Sequence, residues 1–219
     1  MIKRQVTPRT VVETIKPYMP GWPDRTPAEL CQLLARDEVA KLSFNESPYG
    51  PSPMAVQAMQ QAACKVHLYF DMEAKELRQK IAEKHSVSMD HVYIGNGGDE
   101  AIALLVNAFV SPGDEVIMPW PTFGQYANAT TIMDGIPVKV PVCSDDLRAD
   151  LPAMLAAVTE RTKIIFLCNP NNPTGVAVTG NALREFLAAV PSHIIVGLDE
   201  AYYDYVETPD FLSGLALLA

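Results

Sequence analysis

Asn172, Asp199 and Tyr202 are an amide, a carboxylate and a phenol, each following an apolar run of the chain. Asn172 lies in "CNPNNPTG", residues 168–175, directly after the apolar run 164–167. Proline fixes φ and disfavours helix in the residue before it, so Asn169 and Asn172 are pushed toward extended or turn geometry. The segment reads as a rigid loop presenting side-chain amides at a strand end, whereas a lone Asn-Pro pair would read as an ordinary turn. Asp199 ends the apolar part of "HIIVGLDEAY". A buried carboxylate there is costly unless a positive or hydrogen-bonding group meets it. A protonated pyridine nitrogen is one such partner; the backbone of a neighbouring loop is another. Tyr202, three residues on, can bring its hydroxyl to the same pocket or serve as a plain aromatic side chain. A third stretch, "GNGGDE" at 95–100, opens a helix. Gly97 and Gly98 allow close backbone approach, and first-turn N–H groups favour an anion such as phosphate. Asp99 and Glu100 are normal first-turn acids, whose carboxylates must then turn away from that anion. The alternative is a capped helix start with no ligand.

A scaffold must bring these stretches together. After His85, strands are predicted at "HVYIGNGG", "DEVIMP", "IPVKVPV", "KIIFLC" and "HIIVGLDEAY". Helices are predicted between them at "DEAIALLVNAFV", "TFGQYANATTIMDG", "LPAMLAAVTE" and "NALREFLAAV". Short strands alternating with helices predict an α/β fold with a mainly parallel, buried sheet flanked by helices. Ligands of such sheets bind outside the carboxyl ends of the strands, where all three stretches fall. Before His85 the pattern is mixed and rich in proline. An arm leads to a short helix, with Thr26 as its cap before Pro27 at N1. A short strand-like piece is predicted in "KLSFNESPYGPSP", then helices over Pro53–Cys64 and Glu73–His85. The domain reading is an N-terminal arm and small-domain segment over 1–50 and a large domain over 51–219.

Composition narrows the function. The 219 residues are 48% apolar and 20% charged, which is globular composition. A formal net charge of −9 argues against nucleic acid or an anionic membrane as the main partner. The first ten residues lack the apolar centre of a signal peptide, and no run approaches the roughly 20 apolar residues of a membrane helix. Cys31, Cys64, Cys143 and Cys168 form no CxxC pair and have no companion histidines, so reduced thiols in a cytoplasmic protein are expected, with no metal site. A dinucleotide fingerprint would need glycine where Glu100 stands.

With the blocks "LSFNESPYGPSP", "IGNGGDEAIALLVNAFVSPGDEVIMPWPTFGQY", "NPNNPTG" and "DEAYYDY", the sequence resembles the fold-type-I pyridoxal-phosphate aminotransferases, and most closely the histidinol-phosphate branch of that family. The likeness runs from about Pro17 to the last residue. It implies pyridoxal 5'-phosphate as cofactor, a small-molecule amino donor and a 2-oxo acid as substrates, and a homodimer at full length. By resemblance, Asp199 holds the proton of the pyridine nitrogen, and Asn172 and Tyr202 hydrogen-bond the ring oxygen O3'. Phe123 stacks on the ring, and the amides of Gly98 and Asp99 meet the phosphate. Tyr69, in "LYFD", matches a tyrosine that reaches the phosphate of the neighbouring subunit, although Leu68 and Phe70 depart from the family's arginine and proline. Asn45 matches a residue of the substrate entrance. Gly98 stands where many relatives carry serine.

The resemblance also implies what this sequence lacks. Transamination needs a lysine that binds the cofactor and shuttles the proton between substrate and cofactor carbons. In the family it follows a strand beyond "DEAY", yet no lysine here follows Lys163, at the start of its strand. The arginine that holds the substrate carboxylate in relatives is missing as well. The family's strand order is 3-2-4-5-6-7-1, so a chain ending inside a helix after strand 5 leaves strand 1 without a neighbour and strand 5 as an open edge. Such a chain is expected to be unstable or to aggregate, and not to transaminate. Within the family, the transfer of an amino group from L-histidinol phosphate to 2-oxoglutarate is the leading expectation. Another transaminase, for aromatic or other amino acids, and a decarboxylase of the same fold are alternatives. A non-catalytic module without the lysine is the reading from another class.

Overall fold

The computed structural model describes residues 8–15 and 25–218. The chain divides into two compact units, Met1–Tyr18 with Ile81–Ala219, and Met19–Lys80. The sequence reading divides it at residue 50 instead.

In the first unit, α1 spans Thr10–Thr14. Helix α2 (Pro27–Leu34), in the second unit, begins as its sequence predicts. Thr26 accepts from the Glu29 amide while the Glu29 carboxylate accepts from the Thr26 amide, and Pro27 takes N1, where its missing N–H costs nothing. The second unit continues with α3 (Pro53–Ala62) and the start of α4 (Lys75–His85). The strand-like piece expected at 41–45 is instead a 3-10 turn over Ser43–Asn45. Phe44 and Asn45 both have positive φ, which no strand contains. Asn45 is exposed there, and Tyr69 is fully exposed in the same unit.

The main unit contains α5 (Gly97–Phe109), β1 (Glu115–Trp120), α6 (Gln125–Ile132), β2 (Ile136–Pro141), α7 (Leu151–Ala156), β3 (Thr162–Cys168), α8 (Gly180–Ala189) and β4 (Ile195–Asp199). The strands form one parallel sheet in the order β2-β1-β3-β4. This is the 3-2-4-5 part of the expected order.

The two central strands are apolar and buried along most of their length, and their residues alternate between two cores. Val116, Met118, Ile164, Phe166 and Cys168 pack with Ile102 and Val106 of α5 and Tyr126 of α6. Ile117, Ile165 and Leu167 face the other way, onto Met154 of α7 and Leu183 and Phe186 of α8.

The predicted strand at 91–98 does not form. Residues 92–95 are irregular, preceded by a 3-10 turn at Met89–His91. Apolar and aromatic side chains give this stretch strand propensity, but a strand exists only through pairing, and the sheet ends at β4. The predicted final helix is likewise a 3-10 turn over Gly214–Leu217.

Candidate functional site

The parallel sheet sends the ends of β1, β3 and β4 to one edge, and the start of α5 faces that edge. Gly97 opens α5 with φ of 75°, a left-handed value that glycine takes without strain. Apart from the adjoining residues and the helix's own backbone, no atom lies within 4 Å of where a Cβ would stand on Gly97 or Gly98, so the first turn is open. Asn96, at the N-cap, makes no side-chain capping bond. The neighbouring carboxylates are held by other groups. Asp99 Oδ2 accepts from Gln125 Nε2 at 2.9 Å, and Glu100 accepts from the Asn96 amide. Glu100 thus turns back onto the helix's N-cap amide, as a first-turn acid does, and Asp99 is turned toward α6.

Asp199 ends β4 opposite Cys168 of β3. Its Oδ2 accepts from the Tyr126 hydroxyl at 2.6 Å, and its Oδ1 accepts from the Ala201 amide at 3.0 Å. The second bond is the loop-capping alternative, realised alongside the first. Tyr126 is fully buried, stacked on Phe166 with ring centroids 4.6 Å apart and edge-on to Phe123 at 5.7 Å. Burial, then the nearby Cys168 and Asp199, push its pKa above the ordinary phenol value, so the hydroxyl stays a proton donor to the carboxylate. Sequence reasoning assigned Tyr126 no role. Its signal lay in "PTFGQY", where a phenol falls three residues after Phe123 on the next helix.

Asn172 follows β3, and its Nδ2 donates to the Tyr202 hydroxyl at 3.2 Å. The two residues assigned to one ring oxygen are therefore neighbours, although 30 positions separate them. Asn169 and Asn171 are the buried members of the same loop. Asn169 Oδ1 accepts from the Val178 amide, and the Asn169 amide donates to the Asp199 carbonyl at 2.8 Å, which ties the loop to the end of β4.

A cavity of about 270 Å³ opens between α5 and the sheet, lined by Gly98, Tyr126, Phe166, Gly197, Asp199 and Glu200 among others. It unites the helix start with the strand-end carboxylate. Asp99, Phe123, Asn172 and Tyr202 lie outside that lining. Phe123 reaches it through its contact with Tyr126, and Tyr202 lies three residues after Asp199. Tyr69 and Asn45 belong to the other unit.

A helix start, a strand-end carboxylate and an amide–phenol pair thus stand at the carboxyl ends of a parallel α/β sheet, where ligands of such sheets bind. The chain belongs to the aminotransferase class I and II family, whose model matches residues 37–219. It is 44% identical over 208 residues to a histidinol-phosphate aminotransferase of Moorella thermoacetica, covering 95% of this chain and 53% of the relative. It is 40% identical over 210 residues to an aromatic amino acid aminotransferase of Thermobifida fusca, covering 95% of this chain and 55% of that one. The fold matches the crystal structure of histidinol-phosphate aminotransferase from Sinorhizobium meliloti in complex with pyridoxal-5'-phosphate, with a TM-score of 0.77, 29% identity, and coverage of 90% of this chain and 54% of the other. The chain spans about half the length of the curated relatives it matches.

Proposed function

We propose that this chain carries the cofactor-binding part of a pyridoxal 5'-phosphate-dependent aminotransferase acting on L-histidinol phosphate and 2-oxoglutarate. The observation that carries the reading is one sheet edge where Asp199 and Gly98 share a cavity and Asn172 and Tyr202 share a hydrogen bond. The residues present fit the cofactor: an open helix start for its phosphate, a carboxylate for its ring nitrogen, and two polar side chains for its O3'. When bound, the cofactor supplies an electron sink for negative charge at the substrate Cα.

The protein's part is orientation and proton holding. Asp199, fixed from one side by Tyr126 and from the other by the Ala201 amide, would hold the proton of the ring nitrogen through charge pairing. Asn172 and Tyr202 would hydrogen-bond the ring oxygen, Phe123 would stack on the ring, and the amides of Gly98 and Asp99 would take the phosphate. Asn45 would line the substrate entrance, and Tyr69 would reach the phosphate in the second subunit of a homodimer. Four free cysteines accord with a cytoplasmic setting, and no helix among the described residues is long and apolar enough to cross a membrane. Similarity to aromatic amino acid aminotransferases supports a second reading, with an aromatic amino acid as donor.

The 219-residue polypeptide by itself is expected not to transfer amino groups, because none of its lysines follows Tyr202. Two measurements test this. The polypeptide is assayed for glutamate formation from 2-oxoglutarate with L-histidinol phosphate or phenylalanine as donor. The same panel is then run with the polypeptide extended by the lysine-bearing half of a relative. Silence from the first and preference for L-histidinol phosphate in the second are expected. Transfer by the 219 residues alone refutes the need for the lysine, and preference for phenylalanine moves the assignment to the second reading.

A further inference from the structure

Asn171 is the one asparagine of its loop with a use for every polar side-chain atom across to another strand end. It is 2% exposed and Thr122 is 8% exposed, yet both are polar. The Thr122 hydroxyl donates to Asn171 Oδ1 at 2.7 Å. Asn171 Nδ2 donates to the Pro121 carbonyl and to Thr174 Oγ1, each at 3.1 Å. The amide orientation is fixed by chemistry, since a flipped Asn171 would set its oxygen against the Pro121 carbonyl. Its own backbone is engaged too: the amide donates to the Val176 carbonyl, and the carbonyl accepts from the Gly175 amide. The next residue on one side of this clasp is Phe123, and on the other Asn172.

We infer that Asn171 and Thr122 are positioning residues that lock the loop after β1 to the loop after β3, and so set the Asn172 amide against a ring whose face Phe123 covers. The inference rests on the cofactor reading above. A buried hydrogen bond between two loops resists sliding of one along the other, because separating the partners strands both polar groups in an apolar setting. A sub-ångström change in the Asn172 amide weakens its bond to a ring oxygen and leaves contacts to a ring face nearly unchanged. The clasp therefore governs how strongly the site prefers a ring bearing the 3-hydroxyl.

The test uses the polypeptide extended by the lysine-bearing half of a relative, with pyridoxamine 5'-phosphate and its 3-deoxy analogue, probes without an aldehyde to react with lysines. Dissociation constants for both give a preference ratio for the wild type, Thr122→Val and Thr122→Ser, with far-UV circular dichroism and thermal midpoints alongside. Valine keeps the shape and removes the donor; serine keeps the donor. The expected result is a ratio lowered by about three- to five-fold in Thr122→Val, the share of one hydrogen bond, and restored by Thr122→Ser. Should Thr122→Val fail to fold, Thr122→Ala removes the same hydroxyl without a larger side chain and is expected to lower the ratio likewise. A lowered melting point with an unchanged ratio overturns the inference and leaves a merely structural bond. A wild type that binds neither probe, or both equally, overturns the cofactor reading itself and this inference with it.

Discussion

Cys168 stands where β3 ends, 3% exposed, with its thiol 3.3 Å from the Pro170 carbonyl. Burial, reinforced by the Asp199 carboxylate, pushes its pKa up to about 11. The thiolate is the reactive form, so the native thiol is inert near neutrality. Iodoacetamide at pH 8 should label the exposed Cys64 in the folded protein and reach Cys168 only after denaturation. Peptide mass spectrometry reads the order, and early modification of Cys168 would contradict the buried placement. At this scale the sequence announced the residues with unusual neighbours: Asn172 between prolines, Asp199 after an apolar run, Gly98 before a helix. It was silent on Tyr126 and Asn171, whose partners lie 73 and 49 positions away. A hydrogen bond across such a separation leaves no local pattern; only the register of the strands creates it.

At the level of the element, Gly197 shows how β4 serves the site by leaving room for its neighbour on β3. A Cβ there would lie 2.7 Å from the Phe166 ring, closer than atoms can approach. That ring stacks on Tyr126, whose hydroxyl holds Asp199. Gly197→Ala must push Phe166 aside and is expected to cost about 1–3 kcal/mol, the usual range for overpacking. Denaturant unfolding measures the loss, and a Phe166→Leu background that absorbs it would confirm the clash. Helices and central strands were legible because apolar periodicity, the Thr26 cap and the flanking prolines all agree locally. The stretch at 91–98 was misread for the opposite reason. Its composition is that of a strand, but pairing is supplied by the rest of the sheet and not by the segment.

For the molecule as a whole, the sheet's amino end is as organised as its functional edge. Glu115, 5% exposed, begins β1 and accepts from Thr159 Oγ1 and from the Arg161 guanidinium, each at 2.6 Å. The Thr159 bond, with Arg161, holds its carboxyl below the ordinary glutamate range. The folded state thus binds this proton less readily than the unfolded chain does. Stability from Glu115 is complete above the unfolded pKa and is lost as pH falls through the folded value. Glu115→Gln is expected to lower neutral-pH stability by about 1–2 kcal/mol and to flatten the acid decline, as urea melts at pH 7 and pH 3.5 would read. An equally steep decline in the variant would exclude Glu115 as its source.

Among the described residues, β4 is paired on one side only, and its residues are all half-buried where those of β3 are nearly all sealed. A sheet of this kind has a gradient of cohesion running across it. Amide protons of β1 and β3 are shielded by ladders on both flanks, while those on the outer flank of β4 meet solvent or whatever strand arrives. In these 219 residues taken alone, opening is expected to begin at β4, the strand that ends in Asp199, whose amide protons should exchange ahead of those of β1 and β3.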